Sequence, residues 1–188
     1  MHGPISARSK SYRITSDALF VALYVILSTY LSFKIPGLFQ ISISTLPILL
    51  CSFLFGPADA VAVAVLGTFL EQVIDPSPYG FATLPLWLIP GAVQALIAGL
   101  GAQRIAKLTS KKIALIATVA VITTAELSLT LLNTGALYLD GYLLGYPVKA
   151  LHLLLPTRLL NMLVRCILSS VIVPLLLPPL KRVLARQA

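Results

Sequence analysis

Charge is scarce in this chain, and negative charge is scarcest. Charged residues make up 11% of its 188 residues, with six acidic side chains against fourteen basic ones; a typical soluble chain carries about 25%. Hydrophobic residues reach 58% and the mean hydropathy is +0.96. Too little polar surface remains to coat a water-soluble globule, which excludes a soluble enzyme and a disordered chain. Cysteine occurs twice, and Cys51 and Cys166 both lie in apolar runs with no pairing pattern. No disulfide framework or zinc site follows from them; they read as two small buried hydrophobes. Of the two histidines, His2 belongs to the N-terminal tail and His152 stands alone as an interfacial residue. The chain has no HExxH helix, no GxSxG elbow and no phosphate-cradling Gly-x4-Gly-Lys loop. No catalytic residue, metal or cofactor is expected, and no ATPase is encoded.

What the chain does have is long apolar runs. The first spans about residues 18–33 and ends at Ile35-Pro36-Gly37; it is too long for a signal-peptide core. A shorter run, 45–55, stops at Gly56-Pro57 and reaches only about 17 Å as a helix, so it spans only with help from residues 41–44. The third run covers 58–74 and ends in Asp75-Pro76-Ser77-Pro78-Tyr79-Gly80, a strong loop signal. Three more follow at 84–105, 112–138 and 151–177. The expectation is an all-α integral membrane protein, a single six-helix domain over residues 1–188, with basic tails at 1–15 and 178–188.

The net charge of +8 would suggest nucleic acid in a soluble chain. Here it reports topology, because Lys and Arg collect on the cytoplasmic side of inserted helices. With the N-terminus inside, the inner segments carry Arg8, Lys10, Arg13, Arg104, Lys107, Lys111, Lys112, Lys181, Arg182 and Arg186, against only Lys34 and Lys149 outside. Both termini are therefore expected in the cytoplasm. The outer loops, 34–44, 75–82 and 140–149, are the longer ones, rich in Gly, Pro, Tyr and Asp. Recognition often lives on such loops, although they are also simply where a chain turns.

Ionisable groups inside a membrane are costly and call for a partner or a purpose. The fifth run carries Glu126, Thr130, Asn133 and Thr134 on one helical face, and the sixth carries Arg158, Asn161 and Arg165 on another. Depth pairs them. Glu126 lies ~18 Å inward from Tyr138, and Arg165 ~21 Å inward from Leu151, so these two are expected to form a structural ion pair that sets helix register. Asn133 and Arg158 lie only ~8 Å and ~10 Å inward and form a shallower layer. Glu71 and Gln72 sit about one turn below the outer end of the third helix, and Trp87 lies just inside the fourth. The aromatics Tyr79, Tyr138, Tyr142 and Tyr146 read as an interfacial belt or, combined with Glu71, Asn133 and Arg158, as the walls of an outward-opening small-molecule pocket. Small residues at Gly91, Ala95 and Gly99 favour close helix packing, as do Ala18 and Ala22.

Taken in order, several of these segments resemble a family. They are Ala18-Leu19-Phe20-Val21-Ala22; Ile41-Ser42-Ile43-Ser44-Thr45-Leu46-Pro47-Ile48 running into Leu54-Phe55-Gly56-Pro57; and Leu132-Asn133-Thr134 followed by Pro156-Thr157-Arg158. Together they resemble the substrate-binding S component of an energy-coupling factor (ECF) vitamin transporter, in its folate branch, over about residues 17–180. The resemblance implies a protein of the bacterial plasma membrane that binds a vitamin from outside. It also implies partners: a membrane coupling subunit, docked through Ala18 and Ala22, and two cytoplasmic ATPase subunits. The chain departs from the family pattern at Phe69-Leu70-Glu71-Gln72, where an Asp-Leu pair is expected.

The candidate substrate-binding residues are thus Arg158, Asn133, Glu71, Gln72, Asn161, Trp87, Tyr79, Tyr138 and Lys34. For a folate, Glu71 or Asn133 would face the pterin, and Lys34 or Lys149 the glutamate tail. Pantothenate, pyridoxine or a pyrimidine precursor are equally permitted by the residues. A membrane scaffold or assembly factor is the rival from another class; an intramembrane enzyme is disfavoured, because no nucleophile–base pair is visible.

Overall fold

The structure is a computed structural model that describes residues 10–35, 39–41, 43–74, 83–145, 152 and 154–186, with only the backbone of 10, 33–35, 39–41, 185 and 186. The described residues form the helices α1 (Lys10–Thr29), α2 (Thr45–Leu54), α3 (Pro57–Ile74), α4 (Leu84–Ile105), α5 (Lys111–Leu144) and α6 (Leu155–Arg186). Between α1 and α2 lies a two-stranded antiparallel hairpin, β1 (Phe33–Ile35) and β2 (Phe39–Ile41), in which Lys34 pairs with Gln40. Among the described residues five helices, α1 and α3 to α6, are long and apolar enough to cross a membrane.

The second apolar run differs from the spans. Helix α2 has ten residues, about 15 Å of helix against ~30 Å of hydrocarbon. It serves as the centre of the fold instead. All its residues but Phe53 are buried, and Ile48, Leu49 and Cys51 pack with Val63, Ala64, Ala95, Ile122 and Val173 in one core. Phe55 N–H closes α2 on the Cys51 carbonyl at 2.8 Å. Gly56 then adopts φ +105°, a conformation that L side chains rarely adopt, and Pro57 starts α3 with its fixed φ.

Cross-helix contacts order the ends. Arg13 near the start of α1 grips Asp59 near the start of α3, with Nη2 2.6 Å from each carboxylate oxygen and Nε 3.2 Å from Oδ2. Helices α1 and α3 therefore run parallel, and residues 30–56 carry the chain back between them. Gly99 lies against Pro57, and Gly101 against Val121; Arg165 meets Glu126. So α4, α5 and α6 alternate in direction, and the start of α1 and the end of α6 lie at one end of the bundle, with Arg104, Lys107, Lys111, Lys112, Lys181 and Arg182. The outward faces stay apolar: Leu159, Leu163, Ile167, Val171 and Leu175 of α6 are all exposed, as lipid contact requires.

Helix boundaries depart from the expected runs where polar or Pro residues looked like breaks. Helix α1 begins at Lys10, within the stretch read as tail, and ends at Thr29. Helix α5 continues past Tyr138 to Leu144 and stops at Gly145, φ +75°. Helix α6 starts at Leu155 and runs through Pro174, Pro178 and Pro179 to Arg186.

The small-residue series of α4 is not uniform. A Cβ at Gly99 would lie 2.5 Å from Pro57 Cα and 2.6 Å from Pro57 N, whereas one at Gly91 would make ordinary 3.7 Å contacts. Gly99→Ala should destabilise the protein by about 1–3 kcal/mol, the usual cost of overpacking, while Gly91→Ala changes stability little. Thermal unfolding in detergent checks this; equal melting of the two variants would count against the packing.

Candidate functional site

A cavity of about 370 Å³ opens among the helices at the end of the bundle opposite the start of α1 and the end of α6. Each wall comes from one polar helix face. Helix α4 contributes Trp87, Gly91 and Gln94, at offsets of four and three residues; α5 contributes Leu129, Thr130 and Asn133; α6 contributes Thr157, Arg158, Asn161 and Arg165. The last turns of α3 supply Thr68, Glu71 and Gln72, and Ser44, Thr45 and Ile48 at the start of α2 close the inner side with Tyr24 of α1. The volume lies in the lower part of the range for small-molecule sites.

The inner end is a network. Glu126 is fully buried; its Oε1 accepts a hydrogen bond from Thr45 Oγ1 at 2.9 Å and a longer one from Ser169 Oγ at 3.4 Å. Arg165 Nε stands 3.6 Å from Glu126 Oε2, an ion pair beyond hydrogen-bond range, while its Nη2 donates to Thr130 Oγ1 at 3.0 Å. Thr130 in turn donates to the Glu126 carbonyl at 3.0 Å. The carboxylate and guanidinium thus tie α5 to α6, with α2 held to both.

The side wall is a second network. Tyr24 Oη donates to Glu71 Oε2 at 2.8 Å and lies 3.3 Å from Thr68 Oγ1. Its ring sits where Gly67 has no side chain: a Cβ there would come within 2.7 Å of Cδ1. Arg158 lies in the first turn of α6, its N–H bonded to the Leu154 carbonyl at 3.0 Å. The positive end of a helix and a guanidinium therefore face the cavity together, an arrangement suited to an anionic group.

Of the nine expected binding residues, six line this cavity: Glu71, Gln72, Trp87, Asn133, Arg158 and Asn161. Tyr138 does not. It is five residues from Asn133, about 140° around the helix, and its Oη pairs instead with His152 Nδ1 at 2.9 Å on the surface, the rings 5.6 Å apart. Tyr79 lies outside the described residues, as do Tyr146, Lys149 and the loop 75–82; the Lys34 side chain is likewise not described. Ala18 and Ala22 fall on an exposed face of α1 beside Leu19 and Leu23.

Several polar cavity residues were not among the expected binding residues, including Tyr24, Thr45, Thr68 and Gln94. Gln94 carried a readable signal, since it continues the face of Trp87 and Gly91. Tyr24 and Thr45 are single polar residues in apolar helices, with no periodic partner to mark them.

The family model described as "ECF transporter, substrate-specific component" matches residues 12–177. A solved structure described as the S component of a bacterial ECF transporter shares the fold, with a TM-score of 0.63 and 24% identity, over 94% of this chain and 99% of that one. No curated protein matches the chain significantly.

Proposed function

The chain belongs to the substrate-specific components of ECF transporters, and on that premise we propose that it captures a water-soluble vitamin, a folate first among candidates. A component of this family binds a small-molecule substrate, associates with the other parts of the ECF module and has no catalytic task of its own. The observation that carries the proposal is the chemistry of the 370 Å³ cavity. A Trp87 ring, a Glu71 carboxylate and several amides suit an aromatic nitrogen heterocycle. Arg158 at the start of α6 suits a carboxylate tail. Glu71, Gln72, Asn133, Asn161 and Trp87 are proposed to contact the cargo, with Arg158 on its acid; Tyr79 and Lys34 remain candidates at the mouth.

The proposed setting is the bacterial plasma membrane, with both termini in the cytoplasm and the cavity facing out. The crowding of Arg104, Lys107, Lys111, Lys112, Lys181 and Arg182 at the end bearing the start of α1 and the end of α6 supports that orientation. In this reading α2 and the hairpin before it complete a sixth passage. Energy comes from two cytoplasmic ATPase subunits, reached through a membrane coupling subunit docked on Ala18 and Ala22. Ala18→Trp should then leave vitamin binding unchanged while sharply lowering uptake in cells that carry the whole module; undiminished uptake would remove α1 as the docking face.

A smaller acid such as pantothenate is the second reading, favoured by the modest volume of the cavity. Isothermal titration of the purified chain in detergent against folate, pantothenate, pyridoxine and thiamine decides between them. Tight one-to-one binding of one vitamin names the cargo. No binding to folded protein by any of the four would overturn the vitamin reading.

A further inference from the structure

Most polar groups of the cavity wall are already engaged. Thr45 donates to Glu126, Thr130 accepts from Arg165, and Tyr24 donates to Glu71. On α4, as at Arg165 Nε, polar atoms are left without a short partner. The Gln94 side chain is 0% exposed, and neither Oε1 nor Nε2 has a short hydrogen bond; its carboxamide makes only a long contact with the Glu126 carboxylate, whose Oε2 also lacks a short partner. Two turns nearer the open end, the Trp87 indole Nε1 is also buried without an acceptor. Both residues line the cavity.

A buried amide without a short partner is expensive, because it has given up water and gained little. A carboxamide offers donors on nitrogen and lone pairs on oxygen, so its natural complement places a donor beside an acceptor on a neutral group. The indole N–H is a donor only. The two residues are seven apart, about 10 Å along the helix axis. That distance exceeds a single ring.

We propose that these two groups read the cargo from α4: the Gln94 carboxamide hydrogen-bonds a neutral donor–acceptor edge, of the lactam or aminopyrimidine kind, at the deep end, and the Trp87 N–H bonds an acceptor about 10 Å nearer the mouth. The cargo is accordingly elongated, with its uncharged heterocycle buried first and its acidic portion toward Arg158. This inference rests on the vitamin-binding reading and sharpens it, since pyridoxine is too short to satisfy both groups.

The test uses the full chain in detergent with folic acid as the probe, in wild type, Gln94→Met and Trp87→Phe. Methionine conserves volume and removes the amide; phenylalanine keeps a ring and removes the N–H. Each variant should bind folic acid roughly tenfold or more weakly, the worth of one or two buried hydrogen bonds. Gln94→Met should also melt at the same or a higher temperature than wild type when empty, since a buried amide without a short partner has been removed. A residue serving only to hold the fold would instead lower the melting temperature. Wild-type affinity in both variants overturns the inference and leaves the vitamin reading standing. Weaker binding by Gln94→Met together with a lower melting temperature makes Gln94 structural and also overturns it. If wild type binds none of the four vitamins, both readings fall together. If wild type binds only pyridoxine, the elongated-cargo inference falls alone.

Discussion

Replacing Arg158 with alanine is expected to weaken cargo binding by roughly a hundredfold or more, the consequence of removing one partner from a buried, hydrogen-bonded charge pair. The cause is local. Arg158 occupies the first turn of α6 and lines the cavity with Thr157 and Asn161, so an acid held there meets a guanidinium and the positive end of a helix at once. Arg158→Lys should recover part of the loss, because an ammonium restores the charge but not the planar fork that grips a carboxylate with two bonds. Titration of the purified variants measures this directly. Full affinity in Arg158→Ala would remove the residue from the site and force the acid to another cation.

The largest stability effect should come from Glu126 and Arg165. Arg165→Met leaves a carboxylate that is 0% exposed without its counter-charge, and the cost of breaking such a pair is about 3–5 kcal/mol. Glu126→Leu also strips the acceptor from Thr45 and Ser169, but the guanidinium it strands retains some contact with solvent, at 17% exposure. The Arg165 variant should therefore melt at the lower temperature. The double variant Glu126→Leu/Arg165→Met should be more stable than either single one, since a buried pair replaced whole by apolar groups is often neutral. A double-mutant cycle on melting in detergent reads the coupling; strictly additive losses would show that the two charges do not depend on each other.

How much of this was legible in the sequence depended on periodicity. Helix α4 was read at its observed bounds, Leu84–Ile105, because loop residues precede it and a basic turn follows. The six cavity residues that had been singled out shared a recognisable form: each was polar, near the same end of an apolar run and, in α5 and α6, repeated on one face. The failures have equally specific causes. Asp140 and Tyr142 looked like loop, yet Asp140 is 1% exposed within α5. Pro178 and Pro179 looked like a stop, but neighbouring helices and local adjustments tolerate such residues inside a membrane. Helix α2 was apolar in the same way as a span and differed only in length; its central place follows from packing against α1, α3, α4 and α6, which no local pattern records. Tyr138, readable as interfacial belt or as pocket wall, lies on the surface with His152, and its position about 140° around α5 from Asn133 was open to the same periodicity.

The cavity descends a long way. Along α6 its lining runs from Leu154 to Arg165, eleven residues or about 16 Å of axis, roughly half the hydrocarbon thickness. A cargo lodged there sits inside the electric field of an energised cell. If the cavity faces out, as proposed, and the interior is negative, each negative charge carried a third of the way through 100 mV is opposed by about 0.8 kcal/mol. A negatively charged cargo would then be bound several-fold more weakly by a living membrane than by a detergent micelle, and the penalty would be least for one whose charge remains at Arg158 while its neutral end goes deep.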